Sequence, residues 1–228
     1  MSFVIPHLDY VIFDLDNTLY PPTSGLMQEI GRRIQLWVQH YLGLNWEETQ
    51  TIRREYLLRY GTTLGGLIAE HGLEDVQAYL HFVHDITIED YLAPDPLLAE
   101  MLARMPVRKA VYTNATRQYA LRVLRALCVR DLFDAVIGIE EVGLQNKVCR
   151  GAYEHVLEHL HTTGPRCVMV EDTINNLKQA RRVGMTTILV QQEEKPLSSF
   201  VNFAVTSVLE VGPVVQALLN DRQKQADR

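Results

Sequence analysis

Tyr10-Val11-Ile12-Phe13-Asp14-Leu15-Asp16-Asn17-Thr18 sets four apolar residues directly before two carboxylates one residue apart. Four consecutive apolar residues bounded by a polar turn read as a strand buried on both faces, the kind found in parallel sheets. Alternate side chains of an extended segment share a face, so Asp14 and Asp16 can reach one ligand at the strand's carboxyl end. Ligands of open α/β sheets bind beyond that edge. The plainer alternative is an Asp-rich turn with Thr18 as a helix cap. Segments farther along decide between the two.

After Tyr20 the periodicity changes. Met27, Ile30, Ile34, Trp37, Val38 and Tyr41 recur at three- and four-residue spacing, with Ser24 as cap and Gly43 as stop, which predicts a long amphipathic helix. Asn45 with Glu48 forms a capping box opening a second helix that runs to Gly61. Shorter helices over Leu64 to Glu70 and Val76 to His84 complete an all-helical unit at residues 21–92, closed by Pro94 and Pro96. Helical periodicity accounts for Trp37 and the Met and Tyr residues of these faces as packing.

From Pro94 the chain alternates. Helices are expected over Ala99–Met105, Ala115–Leu127, Cys149–His161, up to Val183 with Gly184 as stop, and Val214–Leu219 before a polar tail. Between them lie short apolar strands: Ala110–Tyr112, Ala135–Ile137, Cys167–Val170, Thr187–Val190 and Phe203–Val205. The expected fold is therefore α/β, a Rossmann-like parallel sheet with helices on both faces. Residues 1–20 and 93–228 form this core, and residues 21–92 form an inserted helical cap.

Composition sets the bounds. The chain has 228 residues and is 47% hydrophobic, enough for a sizeable core, and its formal charge of −6 leaves no basic footprint for a nucleic-acid polymer. Met1 to His7 reads as neither signal peptide nor membrane span, so a cytoplasmic protein is expected, a monomer or homodimer. Cys128, Cys149 and Cys167 have no metal-ligand spacing and are expected as buried thiols.

Three further strand ends or their loops carry groups suited to phosphate. Thr113 and Asn114 follow Tyr112 at a helix entrance, where free N–H groups also favour an anion, although Thr113 equally suits a plain cap. Lys147, alone, reads as a solvated charge. Glu171-Asp172-Thr173 is a second acidic pair after a second buried strand. Asp14, Asp172 and the carbonyl of Asp16 are oxygen donors of the kind Mg²⁺ takes, while Thr113, Asn114 and Lys147 hold phosphoryl oxygens. A phosphomonoester dianion beside ionised Asp14 and Asp172 needs both a metal and Lys147, with backbone N–H groups supplying the remainder.

The order Asp-x-Asp-Asn-Thr, Thr-Asn-Ala, Lys, Glu-Asp-Thr-x-x-Asn resembles the haloacid dehalogenase superfamily of phosphatases over almost the entire chain. Asp16 to Pro21, Tyr60 to Leu64 with Gly66-Leu67, His84-Asp85 and Asn176-Leu177 resemble its pyrimidine 5′-nucleotidase subgroup. The family's motif lysine is usually followed by proline; Lys147 is followed by Val148, though Ala152-Tyr153 fits the continuation. The resemblance implies an Mg²⁺-dependent phosphatase acting on a small-molecule phosphomonoester. In it Asp14 is the nucleophile that forms an aspartyl-phosphate, and Asp16 is the acid and then the base. Asp16 beside other carboxylates suits the acid, whereas Asp14 on the metal stays ionised. The helical unit becomes a cap over the site, with Tyr20, Met27 and Tyr60 to Thr63 either contacting the leaving group or simply packing.

The same residues admit rival readings. A dehalogenase shares the aspartate nucleophile but needs neither Asp16 nor Asp172; a phosphomutase uses the same groups; a catalytically silent phosphate-binding module would have no need of the full set. His155-Val156-Leu157-Glu158-His159 spells the inverted zinc-protease signature. Tyr153, Val156, Leu157 and Leu160 make the buried stripe of that helix, which leaves both histidines on its solvated face.

Overall fold

The computed structural model describes residues 7–191 and 198–226; Met1 to Pro6, read above for a leader, lie outside them. Strand β1 (Tyr10–Phe13) pairs in parallel with β2 (Arg108–Tyr112) on one side and β4 (Cys167–Glu171) on the other. Beyond β2 lies β3 (Ala135–Ile137), and beyond β4 lie β5 (Thr186–Val190) and β6 (Phe203–Val205). The order is β3-β2-β1-β4-β5-β6, every pair parallel, as the apolar runs required.

Alternation along β1 explains why all four of its residues are apolar. Val11 and Phe13 enter a cluster with Val111, Val168 and Val170, covered by α5 (Pro96–Arg104), α6 (Arg117–Ala126) and α9 (Val211–Ala226). Tyr10 and Ile12 enter the opposite cluster with Tyr112 and Met169, covered by α7 (Arg150–His159) and α8 (Ile174–Arg182). Each fully buried side chain of this kind contributes ~1.5–3 kcal/mol.

Between β1 and β2 stand α1 (Leu26–Leu42), α2 (Trp46–Tyr60), α3 (Thr63–His71) and α4 (Val76–His84). The capping box is present: Asn45 Oδ1 accepts from Glu48 N at 3.0 Å, and Glu48 Oε2 accepts from Asn45 N at 2.9 Å. Val38, Tyr56, Leu64, Leu67, Leu73, Tyr79, Leu80 and Val83 form a cluster that also takes in Ile139, from the loop after β3. Trp37 packs edge-on against Tyr79 at 5.8 Å, and Met27 packs on the sheet-side core. The turn after α2 is tied to the core, since Asn146 Nδ2 donates to Tyr60 O at 2.7 Å.

Several boundaries differ from the expectations. Helix α1 is entered through Gly25 at φ +85°, with Ser24 accepting only a 3.3 Å bond from Leu26 N. Helix α5 begins at Pro96, because Asp95 caps it through Leu98 N at 2.9 Å and proline suits the first helical position. Helix α6 begins at Arg117 under a Thr116 cap, which frees Thr113 from that task. The polar stretch after Leu219 continues α9. Only Cys167 is buried; Cys128 lies in a left-handed turn after α6, Cys149 stands just before α7, and both are exposed. Among the described residues no helix is long and apolar enough to cross a membrane.

Candidate active site

The sheet order reverses at β1. The chain moves from β1 to β2 and β3, then returns across to β4 on β1's other edge, which opens a crevice at the carboxyl ends of β1 and β4. Phe13 pairs with both Val111 and Val170, so the next residue, Asp14, stands level with Glu171. Asp14 N donates to Val170 O at 2.8 Å, which carries the extended backbone one residue past the strand. Asn17 then takes a left-handed conformation, φ +61°, and Thr18 turns its hydroxyl back to Asp14 Oδ2 at 2.9 Å. Thr18 is therefore a partner of the first carboxylate, not a helix cap.

Lys147, which in isolation reads as a solvated charge and with the other strand-end groups is expected on a phosphoryl oxygen, is enclosed, with 1% of its side chain exposed. Its ammonium donates to Asp14 Oδ1 and, at 2.8 Å, to Glu171 Oε2. Its backbone is anchored by Asn114, whose Oδ1 accepts from Lys147 N at 2.9 Å. Thr113, also buried, accepts from Ala115 N at 3.0 Å through its side-chain oxygen, which leaves its hydroxyl proton to donate elsewhere. Asp16 accepts at Oδ1 from Tyr20 at 2.5 Å and from Tyr119 at 3.0 Å. Glu171 Oε1 accepts the N–H groups of Asp172 and Thr173, both at 3.2 Å.

Asp14, Glu171 and Asp172 each present a carboxylate oxygen within 4.8 Å of the others, the one such cluster among the described residues. Three hard oxygen donors suit Mg²⁺; the Lys147 ammonium is hydrogen-bonded to both Asp14 and Glu171, whereas Asp172 accepts from the Thr173 hydroxyl at 3.0 Å. Asp172 is more open than Asp14 and borders a cleft of about 450 Å³ with Thr18, Tyr20, Pro22 and Val190.

Electrostatics follow from burial. Desolvation, then the charge of Glu171, pushes the Asp14 carboxyl up to about 6 against the pull of Lys147. Desolvation, then the charge of Asp14, raises Asp16 to about 6, opposed by the tyrosine hydroxyls. Burial raises Glu171 to about 7, and burial also raises Asp172. Burial works to lower Lys147, yet the charges of Asp14 and Glu171 hold it above its ordinary value, so it is a cation throughout the physiological range.

The crevice thus unites Asp14, Asp16, Lys147, Glu171 and Asp172, with Asn114 and Thr113 on its β2 side. Three participants have no role assigned by the sequence. Glu171 reads as half of an acidic pair within the Glu-Asp-Thr-x-x-Asn motif, and Tyr119 lies in the apolar stripe of α6 with nothing local to distinguish it. Asn146 fastens the turn after α2 beside Lys147, so Tyr60 and Thr62 meet the core through a backbone oxygen and a hydroxyl. His155, Glu158 and His159 are exposed on α7, with Tyr153, Val156, Leu157 and Leu160 buried beneath them.

Residues 8–184 match the haloacid dehalogenase-like hydrolase family, and the chain belongs to it. Phosphate metabolism protein 8 of Saccharomyces cerevisiae is 30% identical over 132 residues, covering 54% of this chain and 41% of that protein, so the chain spans less than half of that relative. Ribulose-1,5-bisphosphate 5-phosphatase of Halopiger xanaduensis is 28% identical over 216 residues, covering 81% of this chain and 85% of that one. Among solved structures, a phosphatase of the same family from Thermococcus onnurineus superposes with a TM-score of 0.62 at 18% identity, covering 91% of this chain and 98% of that one, a likeness of fold.

Proposed function

We propose that this protein is an Mg²⁺-dependent phosphomonoester hydrolase that works through an aspartyl-phosphate on Asp14, with pyrimidine nucleoside 5′-monophosphates as its substrates. The observation that carries the reading is the buried Lys147 ammonium shared by Asp14 and Glu171 with Asp172 alongside. That arrangement concentrates negative charge at a strand end and supplies only one cation for it, a balance suited to a divalent metal and a phosphate.

Asp14 attacks phosphorus, and Asp16 protonates the leaving oxygen and afterwards takes a proton from the attacking water. Asp14, Asp172 and the carbonyl of Asp16 hold the Mg²⁺, which when bound neutralises charge on the phosphoryl group. Lys147 and Thr113 hold phosphoryl oxygens; Asn114 supports them by fixing the Lys147 backbone and offers its amide N–H. Glu171 keeps the lysine aimed into the crevice. Helices α1 to α4 act as the cap, joined to the core beside Lys147 through Asn146. Phosphate-monoester hydrolysis is among the slowest uncatalysed reactions, so a nucleophile, an acid and electrostatic clamps are all needed.

The pyrimidine preference rests on the residues that resemble the nucleotidase subgroup. Several of them touch residues in or beside the crevice, each at its own place: Tyr20 donates to Asp16, Tyr60 O and Thr62 Oγ1 accept from Asn146 next to Lys147, and the His84 ring lies against Tyr119. A sugar phosphate is the second reading, favoured by the relative from Halopiger xanaduensis that is named for ribulose-1,5-bisphosphate and aligns with 81% of this chain.

The test is kcat/KM over UMP, CMP, AMP, phosphoglycolate and sugar phosphates, with Mg²⁺ and with chelator. UMP or CMP should exceed the others by about tenfold or more, a difference of ~1.4 kcal/mol in transition-state binding. Higher rates on sugar phosphates select the second reading, and no turnover of any ester overturns both.

A further inference from the structure

We propose that Tyr20 and Tyr119 are positioning residues which hold Oδ1 of Asp16 and thereby reserve Oδ2 as the oxygen that exchanges the proton with the leaving group and with water. The proposal rests on the phosphatase reading above and goes beyond it to two side chains.

Both hydroxyls donate to the same oxygen, Tyr20 at 2.5 Å and Tyr119 at 3.0 Å, and they lie 3.4 Å from each other. They come from unrelated places, the loop after β1 and the first turn of α6, and both are buried. A carboxyl oxygen has two lone-pair directions, and two O–H donors occupy both. The proton of a neutral Asp16 therefore sits on Oδ2, and the carboxyl plane is fixed about its terminal torsion, which is otherwise broad.

Satisfying buried tyrosines does not require this arrangement. In the same core Tyr153 donates to a backbone oxygen, Asn176 O at 3.0 Å, and the Tyr112 hydroxyl has no partner among the described residues. Tyr119 is held from behind as well. The His84 ring lies 4.6 Å from its ring, and Arg122, one turn along α6, donates to His84 O at 3.1 Å. The donors are thus in place before reaction, as preorganised electrostatic stabilisation requires.

The step balances as follows. An Asp14 oxygen bonds to phosphorus while the ester P–O bond breaks, and the Oδ2 proton passes to the departing oxygen, leaving an Asp16 carboxylate whose Oδ1 keeps both hydrogen bonds. A water oxygen then bonds to phosphorus as the Asp14–phosphorus bond breaks, and the water proton returns to Oδ2.

Tyr20→Phe and Tyr119→Phe keep the rings and delete one donor each. kcat/KM, which reports the first phosphoryl transfer, should be measured per folded molecule, with near-UV circular dichroism giving the folded fraction. An alkyl phosphate, whose leaving alkoxide needs the proton, should lose ~10- to 100-fold in each variant. p-Nitrophenyl phosphate, whose phenolate leaves unprotonated, should change by less than about threefold on the same reasoning. Equal losses on both esters, or no loss on either, overturn the proposal while wild-type turnover keeps the phosphatase reading. A wild-type protein inactive on both overturns that reading and this one with it.

Discussion

Glu171 Oε2 accepts a 2.8 Å hydrogen bond from Lys147 Nζ, with each side chain only 1% exposed. The same ammonium also serves Asp14, so one cation stands between two carboxylates that repel each other. Such a group is kept in place by its neighbours' need for it.

Lys147→Met should therefore cost about 3–5 kcal/mol of metal-free stability at pH 8, because two buried carboxylates lose their counter-ion. The sign with pH is set by their raised values, about 6 for Asp14 and about 7 for Glu171. Carboxyls that hold protons more tightly folded than unfolded destabilise the fold above the folded value and cease to do so below the unfolded one. The cost should shrink at pH 5, where lysine itself stays charged. Urea denaturation at both pH values checks this, and equal costs would count against the buried cluster.

Mg²⁺ binding should weaken as pH falls from 8 to 5. With Asp14 raised to about 6 and Asp172 raised as well, protons compete for the ligand oxygens. Below about pH 6 the affinity should drop roughly tenfold per unit for each proton displaced. A fixed Mg²⁺ concentration should raise the thermal midpoint at pH 8 and not at pH 5; the same rise at both would contradict it.

Asp14→Asn should reduce turnover by more than about a thousandfold, as expected for loss of a covalent nucleophile. Its amide still offers an oxygen to Thr18, whose hydroxyl meets Oδ2 in the native chain. Far-UV circular dichroism should stay that of the native fold. A variant retaining most of its activity would place the nucleophile elsewhere.

Asn45→Ala removes one half of the capping box on α2 and should cost ~0.5–2 kcal/mol. Chemical denaturation measures it. Since Asn45 is part of neither the crevice nor its supports, kcat per folded molecule should not move.

The strands, the capping box and the carboxylates at the strand ends were legible because each is written locally. An apolar run, a spacing of three or an acid after a strand needs no knowledge of what comes near it in space. Lys147 was not legible in the same way. Its neighbours Asn146 and Val148 say nothing of burial, and its enclosure depends on Glu171 across β4. Tyr119 likewise reads as one more member of the α6 stripe, while its hydroxyl reaches Asp16 in a distant loop. The cysteines show the converse: Cys128 and Cys149 have apolar neighbours in sequence yet are exposed where the chain turns at helix ends. Helix starts moved where a nearer capping group, Asp95 or Thr116, was available.

The central place of β1 also bears on how the molecule is made. Strand β1 leaves the ribosome before both of its neighbours, β2 and β4, with the whole of α1 to α4 synthesised in between. Those four helices have close neighbours in sequence and can condense early, whereas β1 must wait with both edges bare. The charged centre cannot exist until the segment ending in Asp172 has docked. Until then the chain carries a strand whose two edges are unpaired, a feature that favours aggregation in incompletely folded chains.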